Sequence, residues 1–207
     1  MINLFIDTSD KDVSIGIIKE NKILAQRKES IPNKHSVYTT SYIQQVLDES
    51  KLKAENIDKI IVVTGPGSFT GVRIGVTIAK VYAYLLKKDI IGVSSLKVLA
   101  LSAPTSNCYL SIIDAKHNNY YIGLYDKDYK DIIASKFTNI KEVEEIISKY
   151  KPLIISNDNL EINNEKVTKI NLDLVKIQNY YKNALSENPH LVNPNYLKLP
   201  EALEKKW

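Results

Sequence analysis

The stretch Val62-Val63-Thr64-Gly65-Pro66-Gly67-Ser68-Phe69-Thr70-Gly71-Val72-Arg73-Ile74-Gly75 leaves this chain few choices, because it must carry a strand sharply into a helix. Upstream, Ile60, Ile61, Val62 and Val63 form a β-branched apolar run that reads as a strand covered on both faces. The glycines then break it, Pro66 fixes its own φ, and Ser68 or Thr70 is placed to cap the helix that follows.

That helix carries too much apolar surface for one neighbour. Val72, Val76, Ala79, Ala83 and Leu86 form one row at helical spacing, and Ile74, Ile78, Val81 and Leu85 form a second. Only Arg73, Thr77, Lys80, Tyr84 and Lys87 make a polar stripe. The domain's own sheet is one cover; the second is either another element of the same fold or a partner chain.

A glycine-rich turn into a helix is also an anion-binding geometry, since unpaired N–H groups and the positive helix end point the same way. Two standard nucleotide motifs are nevertheless excluded. A P-loop needs Gly-Lys-Ser/Thr where Gly71 is followed by Val72, and the dinucleotide fingerprint needs a third glycine where Thr70 stands. A bare anion nest and a tight structural turn remain.

At 207 residues the chain is long enough to bury roughly 70% of its unfolded surface. Cys108 is its single cysteine, so no internal disulfide forms, and neither a basic-then-apolar leader nor an apolar run of membrane length is read in it. A cytoplasmic setting without a membrane partner is the expectation. The net charge of +4 is mild and scattered, which gives no case for autonomous nucleic-acid binding. The pairs Lys87-Lys88 and Lys205-Lys206 read as solvated ends or as contributors to an RNA surface assembled with another protein.

In order, strands are expected over Ile2 to Thr8, Val13 to Ile18 and Ile23 to Gln26, making a meander. A loop with Pro32 leads to a helix from Ser36 to Ser50, then come the central strand, the glycine turn and the long helix. A strand from Asp89 to Val93 and a short helix capped by Ser94 or Ser95 close this half. The pattern then repeats. Asn3-Leu4-Phe5-Ile6-Asp7 matches Leu110-Ser111-Ile112-Ile113-Asp114, and Asp7 and Asp114, like Gly16 and Gly123, stand 107 residues apart. The second copy predicts strands at Tyr109 to Asp114, Asn119 to Tyr125 and Asp131 to Phe137, a helix from Lys141 to Tyr150, a strand at Pro152 to Ser156, and a last helix from Leu172 to Leu185. Small polar residues at Pro104 to Asn107 place the domain boundary between residues 103 and 104. No counterpart of the glycine loop occurs in the second copy, so a clamp made of two matching halves would lack one jaw.

Residues for chemistry are sparse. His35, His117 and His190 show no ligand spacing. His35-Ser36 reads as a surface or capping pair at a helix start, and Cys108 opens an apolar strand with no histidine near it in sequence, as an inert core cysteine does.

Taken together, Gly65-Pro66-Gly67-Ser68-Phe69-Thr70-Gly71-Val72-Arg73-Ile74-Gly75, Ile6-Asp7-Thr8-Ser9, His35-Ser36, Gly92-Val93-Ser94-Ser95-Leu96, Ile113-Asp114-Ala115 and Pro194-Asn195-Tyr196-Leu197-Lys198 resemble the bacterial TsaB (YeaZ) family of the actin-like ATPase superfamily. The resemblance spans nearly the whole chain and is weakest from Asn157 to Pro189. It implies an α/β fold of two tandem actin-like, ribonuclease H-like β-β-β-α-β-α subdomains, the second shortened and degenerate. It implies a non-catalytic subunit that pairs with TsaD, joined by the ATPase TsaE, in threonylcarbamoyl transfer to the adenosine beside the anticodon of tRNAs reading codons that begin with A.

On the same resemblance, the subunit meets tRNA only through the complex, has no cofactor of its own, with a nucleotide at a subunit interface left open, and pairs through its first helices, with TsaD or as a homodimer. TsaD's metal-binding H-x-x-x-H falls on Ser95-Leu96-Lys97-Val98-Leu99, with Ser95 and Leu99 in the ligand places. Tyr38, Tyr42, Val46, Val72, Val76, Ala79 and Ala83 are assigned to the partner interface or to the core beneath it. Asp7, Thr8, Gly65, Gly67, Ser68, Thr70 and Gly71 are the candidate anion or nucleotide loop. Asp7 and Asp114 occupy the places where actin-like ATPases hold metal and water, or else cap the first turn of each half. Two alternatives follow: an ATP-binding ATPase or phosphotransferase built on Asp7, Thr8 and the loop, and a glycoprotease-like peptidase, for which no metal pair, Ser-His or Cys-His arrangement is present. The motif departs from the family at Lys198, where an arginine often stands.

Overall fold

The computed structural model describes residues 1–31, 34–163 and 165–198. The chain forms two units: Met1–Ser95 joined by Leu172–Pro194, and Leu96–Asn171 joined by the described residues 195–198. The boundary therefore falls eight residues before the expected cut after residue 103, and the first unit takes back a late segment.

The first unit is a five-stranded sheet in the order β3-β2-β1-β4-β5. Its strands are β1 (Ile2–Asp7), β2 (Asp12–Lys19), β3 (Lys22–Ser30), β4 (Lys59–Gly65) and β5 (Asp89–Ser94). β1, β2 and β3 make the antiparallel meander, and β4 joins parallel to β1 with Leu4 opposite Ile60 and Ile6 opposite Val62. Every residue of β4 is buried, as its unbroken apolar run requires. Helices α1 (His35–Glu49) and α2 (Phe69–Leu86) cover one face, packing on Leu4, Ile6, Ile15, Ile17, Ile60 and Val62. α2 is long and apolar enough to cross a membrane by length and composition, contrary to the sequence reading, but Val72, Val76, Ala79 and Ala83 lie in this core.

The second unit repeats the scheme with one strand fewer. Its sheet runs β8-β7-β6-β9, built from β6 (Cys108–Asp114), β7 (Asn119–Asp126), β8 (Asp131–Asn139) and β9 (Leu153–Ile155). β6 pairs antiparallel with β7 and parallel with β9, as β1 does with β2 and β4. Among the described residues, the place of a fifth strand is taken by an isolated parallel bridge from Ile155 to Thr168. Amphipathic α4 (Ile140–Tyr150) closes one face through Val143, Ile146 and Ile147. Asn139 caps it by accepting from the Glu142 N–H. On the other face Leu96, Leu99, Ala100 and Ala103 of and beside α3 (Ser95–Ser102) pack with Tyr109, Tyr125 and Ile155, which explains the early boundary.

The last expected helix is shorter than predicted: α5 covers Leu174–Tyr180, capped by Asp173 accepting from the Lys176 N–H. It lies over β2 of the first unit, where a Cβ on Gly16 would stand 2.3 Å from Leu174 Cδ1. The chain then reaches the β5 edge, where the Glu187 N–H donates to the Ile90 carbonyl at 2.8 Å and its carboxylate accepts from the Gly92 N–H at 2.7 Å. The exposed strand edge is thereby covered.

Candidate functional site

The glycine turn lies against the end of β1 rather than standing open. Ser68 is the helix cap, its Oγ accepting from the Gly71 N–H at 3.2 Å, and its own N–H donates to the Ser9 carbonyl at 2.7 Å. Thr8 is fully buried and donates its hydroxyl to the Gly71 carbonyl at 2.7 Å. A Cβ on Gly71 would sit 2.0 Å from the Thr8 carbonyl oxygen, and one on Gly75 would sit 2.2 Å from Thr8 Oγ1. These two glycines allow the helix start to approach β1 more closely than any side chain permits.

On the far side of the turn the Gly65-Pro66 bond is cis, and the Ser95 hydroxyl donates to the Pro66 carbonyl. The loop is thus clasped by Thr8 and Ser9 from one strand end and by Ser95 from another. Gly65, Pro66 and Gly71 are buried in it, while Ser68 and Thr70 reach the surface.

Asp7 and Asp114 do the same local work in the two units. Asp7 Oδ1 accepts from the N–H and hydroxyl of Ser9, at 2.9 and 2.7 Å. Asp114 Oδ1 accepts from the Lys116 N–H, and Oδ2 pairs with its ammonium at 2.7 Å. Their electrostatics differ. Burial pushes the Asp7 carboxyl above the ordinary 3.8, against the lowering effect of the Ser9 bonds. The Asp114 carboxyl is held below it: burial acts upward, but the Lys116 hydrogen bonds and charge outweigh it.

His35 opens α1 as expected but is no surface residue: it is buried, and its Nε2 lies 2.8 Å from the Asp10 carbonyl. That bond ties the helix start to the turn after β1, a long-range partner that local sequence does not signal. Burial raises the Cys108 thiol above its ordinary range, which disfavours the thiolate a nucleophile needs. Among the described residues no group of three or more His, Cys, Asp or Glu is placed to hold a metal ion. Ser95 and Leu99 are both buried, the first bonded to Pro66 and the second in the apolar cluster under α3.

The two apolar rows of α2 face different ways. Val72, Val76, Ala79 and Ala83 are at most 2% exposed, and Tyr42 and Val46 of α1 are buried with them. Of the residues assigned to interface or core, these six are therefore core. The Tyr42 hydroxyl donates to the Glu29 carboxylate at 2.6 Å, a bond that pushes the phenol up to about 12. The row opposite is open: Val81 is 48% and Leu85 69% exposed, and Ile74 and Ile78 are half-buried. Tyr84 beside them and Val37 on α1 are more than half exposed, and Tyr38 stacks on Tyr42 with its own ring at the surface. Lys87 and Lys88 end this helix, Lys88 donating to the Glu55 carbonyl at 2.7 Å; Lys205-Lys206 lie outside the described residues.

A meander, a parallel fourth strand and a covering helix, repeated in tandem with the second copy reduced, define a pair of actin-like lobes. The family model for TsaD, tRNA N6-adenosine threonylcarbamoyltransferase, matches residues 22–186. The tRNA threonylcarbamoyladenosine biosynthesis protein TsaB of Bacillus subtilis strain 168 is 29% identical over 231 residues, covering 100% of this chain and 98% of the relative. TsaB of Escherichia coli K12 is 30% identical over 168 residues, covering 80% and 69%. The crystal structure of an uncharacterised Pseudomonas aeruginosa protein described as similar to the peptidase YeaZ superposes with a TM-score of 0.75 at 20% identity, over 95% of this chain and 99% of that one, and shares the fold. The chain belongs to the TsaD family, within its bacterial TsaB (YeaZ) group.

Proposed function

We propose that this chain is a non-catalytic subunit of a cytoplasmic tRNA threonylcarbamoyl transferase, acting by pairing with TsaD and, through that pair, with TsaE and tRNA. The observation that carries the reading is the apolar row of α2 turned away from the core, with Val81 and Leu85 exposed and Ile74 and Ile78 half-buried, together with exposed Val37 and Tyr38 on α1. An apolar stripe left open on a helix that already has a full core on its other side fits a protein interface. The TsaB names of its relatives support the choice of partner.

Two further features accord with a subunit that leaves the chemistry to its partner. Ser95 and Leu99, which by the resemblance stand in TsaD's metal-ligand places, are committed to packing and to the loop. The glycine turn is held shut on Thr8 and Ser9 by direct bonds. In this reading the loop's task is to fix the first turn of α2, and so the pitch and position of the row that the partner meets.

Co-purification with the TsaD of the same organism tests the proposal. Leu85→Glu and Val81→Glu should leave a folded chain that no longer retains TsaD. Retention by both variants at the level of the unaltered chain would remove the α2 row from the interface. A homodimer built on the same row would be lost in the same two variants, which size-exclusion chromatography of the chain alone reads directly.

A further inference from the structure

The first unit holds a small polar cavity at the opposite end of its sheet from the glycine turn. Its volume is about 210 Å³, and Asn3, Glu20, Lys59, Gln178 and Lys182 are among its lining residues. The cavity follows from the alternation of the strands. Leu4 and Ile6 point to the α1–α2 core, so Asn3 points to the other face, and parallel pairing sets it beside Lys59 at the start of β4. α5, lying over this face, contributes Gln178 from its last turn.

Three of these side chains are buried polar groups whose hydrogen bonding is incomplete. Asn3 is 2%, Lys59 5% and Gln178 6% exposed. The Gln178 amide nitrogen donates to the Glu20 carbonyl, which fixes the amide's orientation and leaves Oε1 buried without a donor. Asn3 Oδ1 is buried without a donor as well. The Lys59 ammonium has three N–H groups and donates to the Ala184 carbonyl at 3.2 Å, with no carboxylate in ion-pair range among the described residues. Leaving such groups unpaired is unfavourable for folding, and a parallel-sheet strand position of this kind is ordinarily apolar.

The unmet needs are complementary. Two acceptors require donors, and a buried cation requires an anionic oxygen. Lys182 adds a second positive charge at the wall against the single carboxylate of Glu20. The volume is below the range usual for drug-sized ligands and suits a molecule of a few heavy atoms. We propose that this cavity binds a small carboxylate bearing an N–H or O–H donor on a neighbouring carbon, an amino acid or a hydroxy acid. The carboxylate would lie on Lys59 Nζ and the donor on Gln178 Oε1 and Asn3 Oδ1.

Calorimetric titration of the purified chain tests this, first with the common amino acids and then with lactate, glycerate and malate, each to about 10 mM, a concentration that registers millimolar affinity. Saturable binding of a member of one set identifies which donor the site takes. Lys59→Met fills the same space without the charge, and Gln178→Leu removes the fixed acceptor. Each should weaken that binding at least about tenfold, with far-ultraviolet circular dichroism confirming that both variants fold. Absence of binding by both sets, or binding that survives both substitutions unchanged, would overturn the proposal and leave the cavity to ordered water.

Discussion

The Thr8 hydroxyl donates to the Gly71 carbonyl at 2.7 Å, and a Cβ on Gly71 would meet the Thr8 carbonyl oxygen at 2.0 Å. The first residue beyond β1 and a residue in the first turn of α2 are thus in backbone contact, 63 positions apart in sequence. That contact joins the opening strand to the helix that carries both the core row and the open row.

Gly71→Ala should therefore be costly in a way that an ordinary helix glycine is not. Alanine usually stabilises a helix relative to glycine, by about 1 kcal/mol. Here the added methyl must push Thr8 backbone away, and a loss of about 1–3 kcal/mol or more is expected from overpacking. Chemical denaturation of the two proteins reads the sign; a stabilised Gly71→Ala protein would show that the approach is looser than described.

Charge placed on the two rows of α2 should have opposite consequences. Val76→Glu buries a carboxylate at a position 2% exposed and should cost about 3 kcal/mol or more, a large share of a domain's ordinary stability. Leu85→Glu, at a position 69% exposed, should change stability by no more than about 0.5 kcal/mol while weakening association with TsaD by tenfold or more. Thermal melts and a pull-down on the same two proteins separate the effects.

Asp7 gives a prediction in pH. Its carboxyl is raised above the ordinary value, so the native state holds the proton more tightly than the unfolded chain does. Stability is then greatest below the unfolded value near 3.8 and falls as pH rises through the native one, a deficit that persists at neutral pH. Asp7→Asn keeps an acceptor for Ser9 and removes the charge. It should melt higher than the unaltered chain at pH 7, and the advantage should shrink as pH falls, at a slope of up to about 1.4 kcal/mol per pH unit. Melting curves at several pH values check this, and a constant offset across the range would mean that burial does not govern Asp7. The same variant bears on the ATPase alternative, which requires ATP turnover by the isolated chain that Asp7→Asn removes.

Much of this architecture was legible because it is local. The apolar run before Gly65, the Ser68 cap and the short strand-and-turn pattern that recurs at Asp7 and Asp114 are each written in a few neighbouring residues, and each forms the element it signals. The orientation of α2 was not legible, since the Val72 and Ile74 rows have the same spacing and similar apolarity; only the placement of β4 beside β1 decides which one faces the sheet. Of the surface and capping readings of His35 the surface one fails, because its partner, the Asp10 carbonyl, lies 25 positions away and gives no local signal. The return of residues 172–194 to the first unit is likewise invisible locally: it rests on Glu187 reaching Ile90 and Gly92, and on Leu174 fitting over Gly16. The shortening of the second copy, which the family resemblance implies, shows in the sheet as a bridge at Thr168 standing in for a strand.

The partner-subunit reading is tested most directly by measuring threonylcarbamoyl-modified adenosine. The purified chain, TsaD and TsaE are combined with ATP, threonylcarbamoyl-adenylate and unmodified tRNA, and each protein is omitted in turn. The account predicts no modification by this chain alone, little by TsaD and TsaE without it, and full modification when it is restored, with Leu85→Glu failing to restore it. Full modification in its absence, or modification by this chain without TsaD, would contradict the account.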